Sequence, residues 1–490
     1  MNLRDALLQG LENLPGSRSF HIHVLVSSPR KHSNLYPFAS PRPKTYLQDI
    51  LVLLSEQPDP DSPRVFVSAI EASLYHVPST SSAVLYVSKV DSTGQAKFPS
   101  PTHALVRAFL TYYVDPTTRP LPVAHIWVHL FARAQNQYLF PNSGEFPGKR
   151  PLTDVKLCAW WKRQFSVVAQ DVAARAGETC IRLFYLLPGL GELEAHHALE
   201  RVYASTSSST SVPWSYGHPY GQAEVPLPIG RDEKRPHIGH VVPWFDDDPK
   251  ARFLDEIAYT TDAEGVRSPE RKRPRTGRTV QRAEEDGESG TERKDTTSEP
   301  SRALKKVIIE EFWERMSFRQ ECVAGAMTGF FVMATSSPIL TPPEGSALAG
   351  EVSSQMVKRV LTSLTTGHEF ATVERAVWST RVLEEAIKGL CDGLKIRAQS
   401  PEDSQRRTPE PREGVQLAAP ETPPARVMDK KRVVGDGSPS PFGEPIASVE
   451  TYERYIYGTV RVRNPDEPRK ESEESGQVRV LTVRRKKRGR

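Results

Sequence analysis

Apolar and polar positions along the chain switch period several times. Leu3, Ala6, Leu7 and Leu11 fall at helical spacing in residues 3–13, which predicts a short amphipathic helix. Phe20, Ile22, Val24 and Val26 then alternate with His21 and His23, the period-two pattern of a strand. Further strand-like runs are Val65–Val77, Ala83–Val90, Ile126–Ala132 and Thr179–Leu187. Helical patterns lie between them at 102–113 and 154–174; in the second, Leu157, Trp161, Phe165, Val168 and Val172 share one face. Order returns at 303–334, where Leu304, Ile308, Phe312 and Met316 recur every four residues, and a further helix is predicted over 372–395. Strands mixed with helices through the first 190 residues predict an α/β or α+β domain around one sheet.

Composition divides the rest. The chain has 490 residues, 42 of them Pro and 30 Gly, and 26% are charged. Much of the Pro and charge sits in blocks too poor in apolar residues to build a core. One domain is therefore expected over 1–395, holding an irregular connection at 203–240 and a disordered insertion at 262–302 with a basic knot at Arg271–Arg275. A disordered low-complexity segment is expected over 396–477, and a basic tail over 478–490, where the β-like Val478–Val483 runs into Arg484–Arg488. The net charge of +5 is mild and does not by itself imply nucleic-acid binding. Cys158, Cys180, Cys322 and Cys391 are far apart, giving neither a zinc spacing nor a disulfide framework and pointing to a reducing compartment. Residues 1–15 lack the apolar core of a signal peptide, and no run reaches the ~18 apolar residues of a membrane span.

Three segments carry the chemistry. The first is Ser88-Lys89-Val90-Asp91-Ser92-Thr93-Gly94, at the end of a predicted strand. The second is Phe131-Ala132-Arg133 and Gln137-Tyr138-Leu139-Phe140-Pro141, followed by Trp160-Trp161. The third is Trp244-Phe245-Asp246-Asp247-Asp248-Pro249-Lys250-Ala251-Arg252-Phe253. Together they resemble the fungal histone acetyltransferases named for regulation of Ty transposition, relatives of the CBP-type enzymes. The resemblance implies a central mixed sheet wrapped by helices, with acetyl-CoA along a groove and direct transfer of acetyl to a lysine amine. It implies an acidic patch of Asp91, Asp247 and Asp248 beside the substrate lysine, a lysine tunnel walled by Trp161, and a cofactor groove bordered by Val90, Phe131, Arg133, Tyr138 and Trp160. The loop Lys97-Phe98-Pro99-Ser100-Pro101 corresponds to the family's pyrophosphate loop, although its two prolines lack N–H donors. Lys250 matches a self-acetylated lysine, and Arg252 supports it. No metal is expected.

By the same resemblance the substrate is histone H3–H4, modified at a lysine near the entry to the first core helix of H3 and at tail lysines. The implied partners are anti-silencing-type and NAP-family chaperones, and the implied setting is the nucleus, in replication-coupled nucleosome assembly and the DNA damage response. The residues alone also allow plainer readings. Asp246–Asp248 before Pro249 reads as a helix start, with carboxylates on free N–H groups. Trp161 and Tyr138 read as core aromatics, Lys250 as a surface lysine and His196-His197 as surface histidines. The alternative function is a non-catalytic nuclear scaffold acting through its basic tails; a small-amine acetyltransferase fits less well, since no QxxGxG signature is present.

Overall fold

The computed structural model describes residues 1–202, 212–230, 237–259, 303–323, 326–339, 350–398 and 448–465. Its elements in chain order are α1 (Leu3–Leu11), β1 (Gly16–Val26), β2 (Arg30–His32), β3 (Thr45–Gln57), β4 (Val65–Val77), β5 (Ser82–Ser92), α2 (Thr102–Val114), β6 (His125–Arg133), α3 (Asp154–Arg175), β7 (Cys180–Leu186), α4 (Glu192–Glu200), β8 (Trp214–Tyr216), α5 (Ile238–Val241), α6 (Pro249–Tyr259), α7 (Ile309–Met316), β9 (Thr328–Ser336), α8 (Ser354–Thr366), α9 (Val373–Ala398) and β10 (Tyr457–Asn464). They form one ten-stranded sheet in the order β10-β1-β3-β4-β5-β6-β9-β7-β8, with β2 added on β3. Its pairings are antiparallel except β5/β6 and β7/β8, which are parallel. The expected mixed sheet wrapped by helices is what the chain builds.

Both faces of the sheet are covered, so its strands read as nearly continuous apolar runs. Alternate side chains still go to opposite sides. Leu85 and Val87 of β5, Val128 and Leu130 of β6, and Phe331 and Met333 of β9 meet α1, α2 and α3. Tyr86, Trp127, Phe330 and Val332 face the other way, under Phe245, α6 and α7. Over the β1–β4 half of that second face, Leu25, Leu51 and Phe66 pack against α8 and α9. On the first face α1 and α2 come close enough that a Cβ on Gly10 would stand 2.4 Å from the Ala108 Cβ.

Two regions depart from the sequence-based expectation. Within 303–334 the four-residue period holds only through α7, and Thr328 onward is β9, a central strand between β6 and β7. Tyr457–Asn464, inside the stretch expected to be disordered, is edge strand β10, paired antiparallel with β1. Val460 and Val462 alternate with Arg461 and Arg463 there, and only Val462 is buried, so eight residues offered too weak a signal against polar flanks. The knot Arg271–Arg275, the insertion 262–302, residues 399–447 and the tail 478–490 lie outside the described residues.

Candidate active site

The site grows from a single irregularity in the sheet. β5 and β6 pair in parallel from Ser82↔His125 to Val87↔Leu130 and no further. At that point β5 bulges: Glu71 pairs with Lys89 and Ala72 with Val87, leaving Ser88 between them, its hydroxyl donating to the Glu71 carbonyl at 3.0 Å. A bulge re-aims the strand. From there β5 is held by β4, and Phe131–Arg133 of β6 by β9. A wedge-shaped gap opens between the carboxyl ends of two parallel strands, where open sheets bind ligands. Its borders include Val90, Phe131 and Arg133, each partly exposed.

Asp91 closes the far end of the wedge. Its Oδ2 accepts the backbone N–H groups of Tyr138, Leu139 and Phe140 at 2.7, 2.8 and 3.1 Å. Its Oδ1 accepts Ser92 N–H and Lys149 Nζ, both at 2.8 Å. The loop leaving β6 is thereby tied back to β5, and the Tyr138 hydroxyl donates to the Arg133 carbonyl within it. Gly94 makes room for this closure. It adopts φ +79°, and a Cβ there would lie 2.5 Å from the Lys149 Cα, so a side chain would be both strained and blocked. The carboxylate of Asp91 is buried and saturated, and serves as the anchor of the loop rather than as an open negative surface.

The other acidic residues sit on the same second face as Asp91, at the start of α6. Asp248 is fully buried at the start of α6; its Oδ1 accepts the Lys250 N–H at 2.8 Å, so the capping reading of this segment holds geometrically. Its Oδ2 stands 2.6 Å from Lys250 Nζ, an ion pair without the alignment of a hydrogen bond. Lys250 is not on the surface: it is buried, with Nζ 4.6 Å from the Phe330 ring centre and 5.9 Å from that of Phe245. The charge is stabilised by one carboxylate and two aromatic faces. Close by, the buried His129 is held neutral, first by burial and then by Lys250. A narrow pocket beyond Lys250 is lined by His218, Tyr220, Trp313 and Phe330. Asp246 and Asp247 remain exposed along much of their length. Burial raises the pKa of the Asp247 carboxyl above the ordinary 3.8, opposed first by its hydrogen bond with the Tyr86 hydroxyl and then by Lys89. Arg252 is exposed on α6.

On the first face, Trp161 is buried, edge-on to Trp160 at 4.8 Å and to Phe165 at 6.2 Å. Trp160 is half-buried. Asp154 fixes this helix, its Oδ2 accepting Met327 N–H at 2.5 Å at the entry to β9. The loop 97–101 joins β5 to α2. Lys97, Phe98 and Ser100 are exposed, Pro99 half-buried and Pro101 buried. The Lys97 N–H is already given to Glu56 Oε1 at 3.2 Å. α2 begins directly after Pro101, which provides no side-chain cap; Thr102 N–H meets the Ser100 hydroxyl at 3.4 Å, and a helix N-terminus is a favourable place for an anion.

Sequence reading missed Glu56 and Lys149, whose partners lie 41 and 58 residues away, and Trp313 and Phe330 beside Lys250. It also left His196 and His197 without a matching ligand. Glu200, one helical turn on, stands 3.1 Å from His196, and the trio is exposed on α4.

Comparisons with known proteins give the family and the fold. The family model for the histone acetyltransferase KAT11-type domain matches residues 116–386. The chain belongs to this family. It is similar to the histone acetyltransferase rtt109 of Aspergillus flavus, 28% identical over 352 residues covering 66% of this chain. It spans only 55%, about half, of that relative's length. The histone acetyltransferase rtt109 of Schizosaccharomyces pombe is 24% identical over 332 residues, 66% of this chain and 69% of its own length. Among solved structures, the crystal structure of Rtt109 from Aspergillus fumigatus superposes with a TM-score of 0.60 at 25% identity, over 80% of this chain and 96% of that one.

Proposed function

We propose that this member of the KAT11-type family is a histone lysine acetyltransferase that moves acetyl from acetyl-CoA to lysines of histone H3. The observation that carries the reading is the wedge between β5 and β6. It joins unpaired strand ends, an exposed cationic loop and a helix start to the acidic, aromatic surroundings of Lys250. Acetyl-CoA supplies the thioester; the chain supplies position and charge.

Each part has a physical task. The exposed edges of Val90 and Phe131–Arg133 accept an extended amide chain as a further strand would. Lys97 and the α2 N-terminus favour phosphate oxygens. The amine of a lysine arrives protonated, since its free pKa is near 10.4, and must lose its proton before attack. Asp247 at the surface attracts the cation, and its raised pKa narrows the mismatch with an ammonium. Proton loss to water remains sufficient where the amine is held close to the thioester. Asp248 and Lys250 act beneath the surface: acetylation of Lys250 would remove a buried charge and release Asp248. Trp160 and Trp161 wall the groove from the α3 side.

The same reading makes acetyl-CoA the only cofactor, assigns H3–H4 as substrate at the core-helix-entry lysine and tail lysines, and assigns stimulation to anti-silencing-type and NAP-family chaperones in the nucleus. Purified full-length protein with acetyl-CoA, H3–H4 and each chaperone type, read by mass spectrometry, tests it. Site-specific acetylation that rises with a chaperone is expected. Absence of both transfer and acetyl-CoA binding would leave the scaffold alternative.

A further inference from the structure

Among the described residues near the 97–101 loop, one guanidinium is fully buried. Arg18 lies on β1, with its side chain 0% exposed. A buried charge must be paired and hydrogen-bonded to persist. Arg18 reaches the backbone of the 97–101 loop: Nη1 donates to the Lys97 carbonyl at 2.6 Å and Nη2 to the Pro99 carbonyl at 2.9 Å. Nη2 also donates to the Pro15 carbonyl at 3.3 Å. Its counter-charge is Glu56 on β3, whose Oε1 lies 3.3 Å from Nη1 and itself accepts the Lys97 N–H at 3.2 Å. Two buried, opposite charges therefore hold three backbone groups of one short loop.

The consequence is directional. Lys97 and Pro99 carbonyls carry the partial negative charge that would repel an anion. Arg18 turns both inward. What stays outside is Phe98, 75% exposed, with the Lys97 ammonium beside it. Pro99 and Pro101 lack N–H groups, so a loop left free to rotate would present more carbonyl than amide to solvent. The guanidinium's fork geometry suits two carbonyls at once, which a lysine ammonium on a flexible stem does not match.

We infer that Arg18, braced by Glu56, is a positioning residue for the phosphate end of acetyl-CoA: it withdraws the loop's carbonyls so that Lys97, the remaining amides and the α2 N-terminus face an anion. This rests on the loop serving the pyrophosphate, as in the proposed function. Arg18 does not touch the reacting atoms, so its effect belongs in donor recognition and not in the acyl-transfer step.

The test uses the full chain with H3–H4 and two donors, acetyl-CoA and S-acetylpantetheine, which carries the same thioester and no phosphate. Arg18→Lys and Glu56→Gln are compared with Lys97→Ala. KM for acetyl-CoA should rise about tenfold or more in Arg18→Lys, the loss expected when a charge-assisted contact is misplaced. KM for S-acetylpantetheine and kcat should stay near their original values, and Glu56→Gln should show the same selectivity, more weakly. If Arg18→Lys instead weakens both donors alike, or only lowers the Tm, while Lys97→Ala still penalises acetyl-CoA alone, Arg18 is merely structural and the positioning role is overturned. If Lys97→Ala leaves the preference for acetyl-CoA intact, the loop does not serve the phosphates and the inference falls with it. Glu56→Gln keeps the decision open to measurement should Arg18→Lys not fold.

Discussion

Asp91 offers the sharpest separation between a residue that touches substrate and one that shapes the groove. Asp91→Asn changes one oxygen into an NH2 group and removes the negative charge, with almost no change in shape. Both original oxygens are acceptors: three backbone N–H groups converge on one, and Ser92 N–H with the Lys149 ammonium on the other. An asparagine can satisfy only one side. With its oxygen toward the loop amides, its NH2 confronts Lys149, whose side chain is 6% exposed and which keeps only the Ser143 hydroxyl at 2.8 Å. Removing one partner of a buried ion pair costs about 3–5 kcal/mol. The alternative orientation leaves three buried N–H groups facing donors, at about 1–3 kcal/mol each. Either cost is large enough to open the 138–149 segment locally before the domain unfolds. Hydrogen exchange at the amides of Tyr138, Leu139 and Phe140 should therefore accelerate by two orders of magnitude or more, on the order of 3 kcal/mol. KM for acetyl-CoA should rise with it. Adding Lys149→Met removes the stranded charge and should recover much of the stability. Native protection of those three amides in Asp91→Asn, together with a fall in kcat alone, would show that Asp91 acts on the substrate and would refute the clamp.

Asp248→Asn should cost the fold about 3–5 kcal/mol, since it leaves Lys250 buried without its carboxylate; a Tm within a degree of the parent would contradict the pairing. Trp161→Ala should cost about 3–5 kcal/mol of packing, because the ring is buried against Phe165; Trp161→Phe should keep most of that stability yet lower turnover, and full activity in the Phe variant would leave the residue a purely core role. Glu351 hydrogen-bonds Gln48, and burial pushes its carboxyl up to about 7 from the ordinary 4.5. The folded state thus favours the protonated form, so this contribution is fully present below pH 4.5 and is lost as pH rises through about 7. Glu351→Gln should accordingly raise the Tm at pH 8 and do little at pH 4.5, and an equal change at both values would exclude the titration.

What the sequence settled by itself lies in period and identity. The alternation Phe20–Val26 and the runs Val65–Val77, Ala83–Val90 and Ile126–Ala132 mark strands because a buried strand needs apolar residues along its length. The face Trp161–Phe165–Val168–Val172 marks α3 for the same reason. Motif residues Asp91, Tyr138, Asp247, Asp248 and Lys250 were named from their order along the chain and a resemblance. Tertiary structure decided what each of them touches. Lys250 in isolation looks solvated, and Asp248 reads as no more than a helix cap. Burial converts Asp248–Lys250 into a private ion pair and Asp91 into a loop anchor, since a desolvated charge must find a partner. The partners Lys149, Glu56 and Arg18 come from distant parts of the chain, which no local pattern encodes. β10 escaped for a related reason: an edge strand with one buried face-residue in eight carries little periodic signal, and it is the open edge of β1 that makes Tyr457–Asn464 a strand. The wedge itself, on which the proposed function rests, arises where one bulged residue ends the β5–β6 ladder, and that is a property of pairing between strands and of neither strand alone.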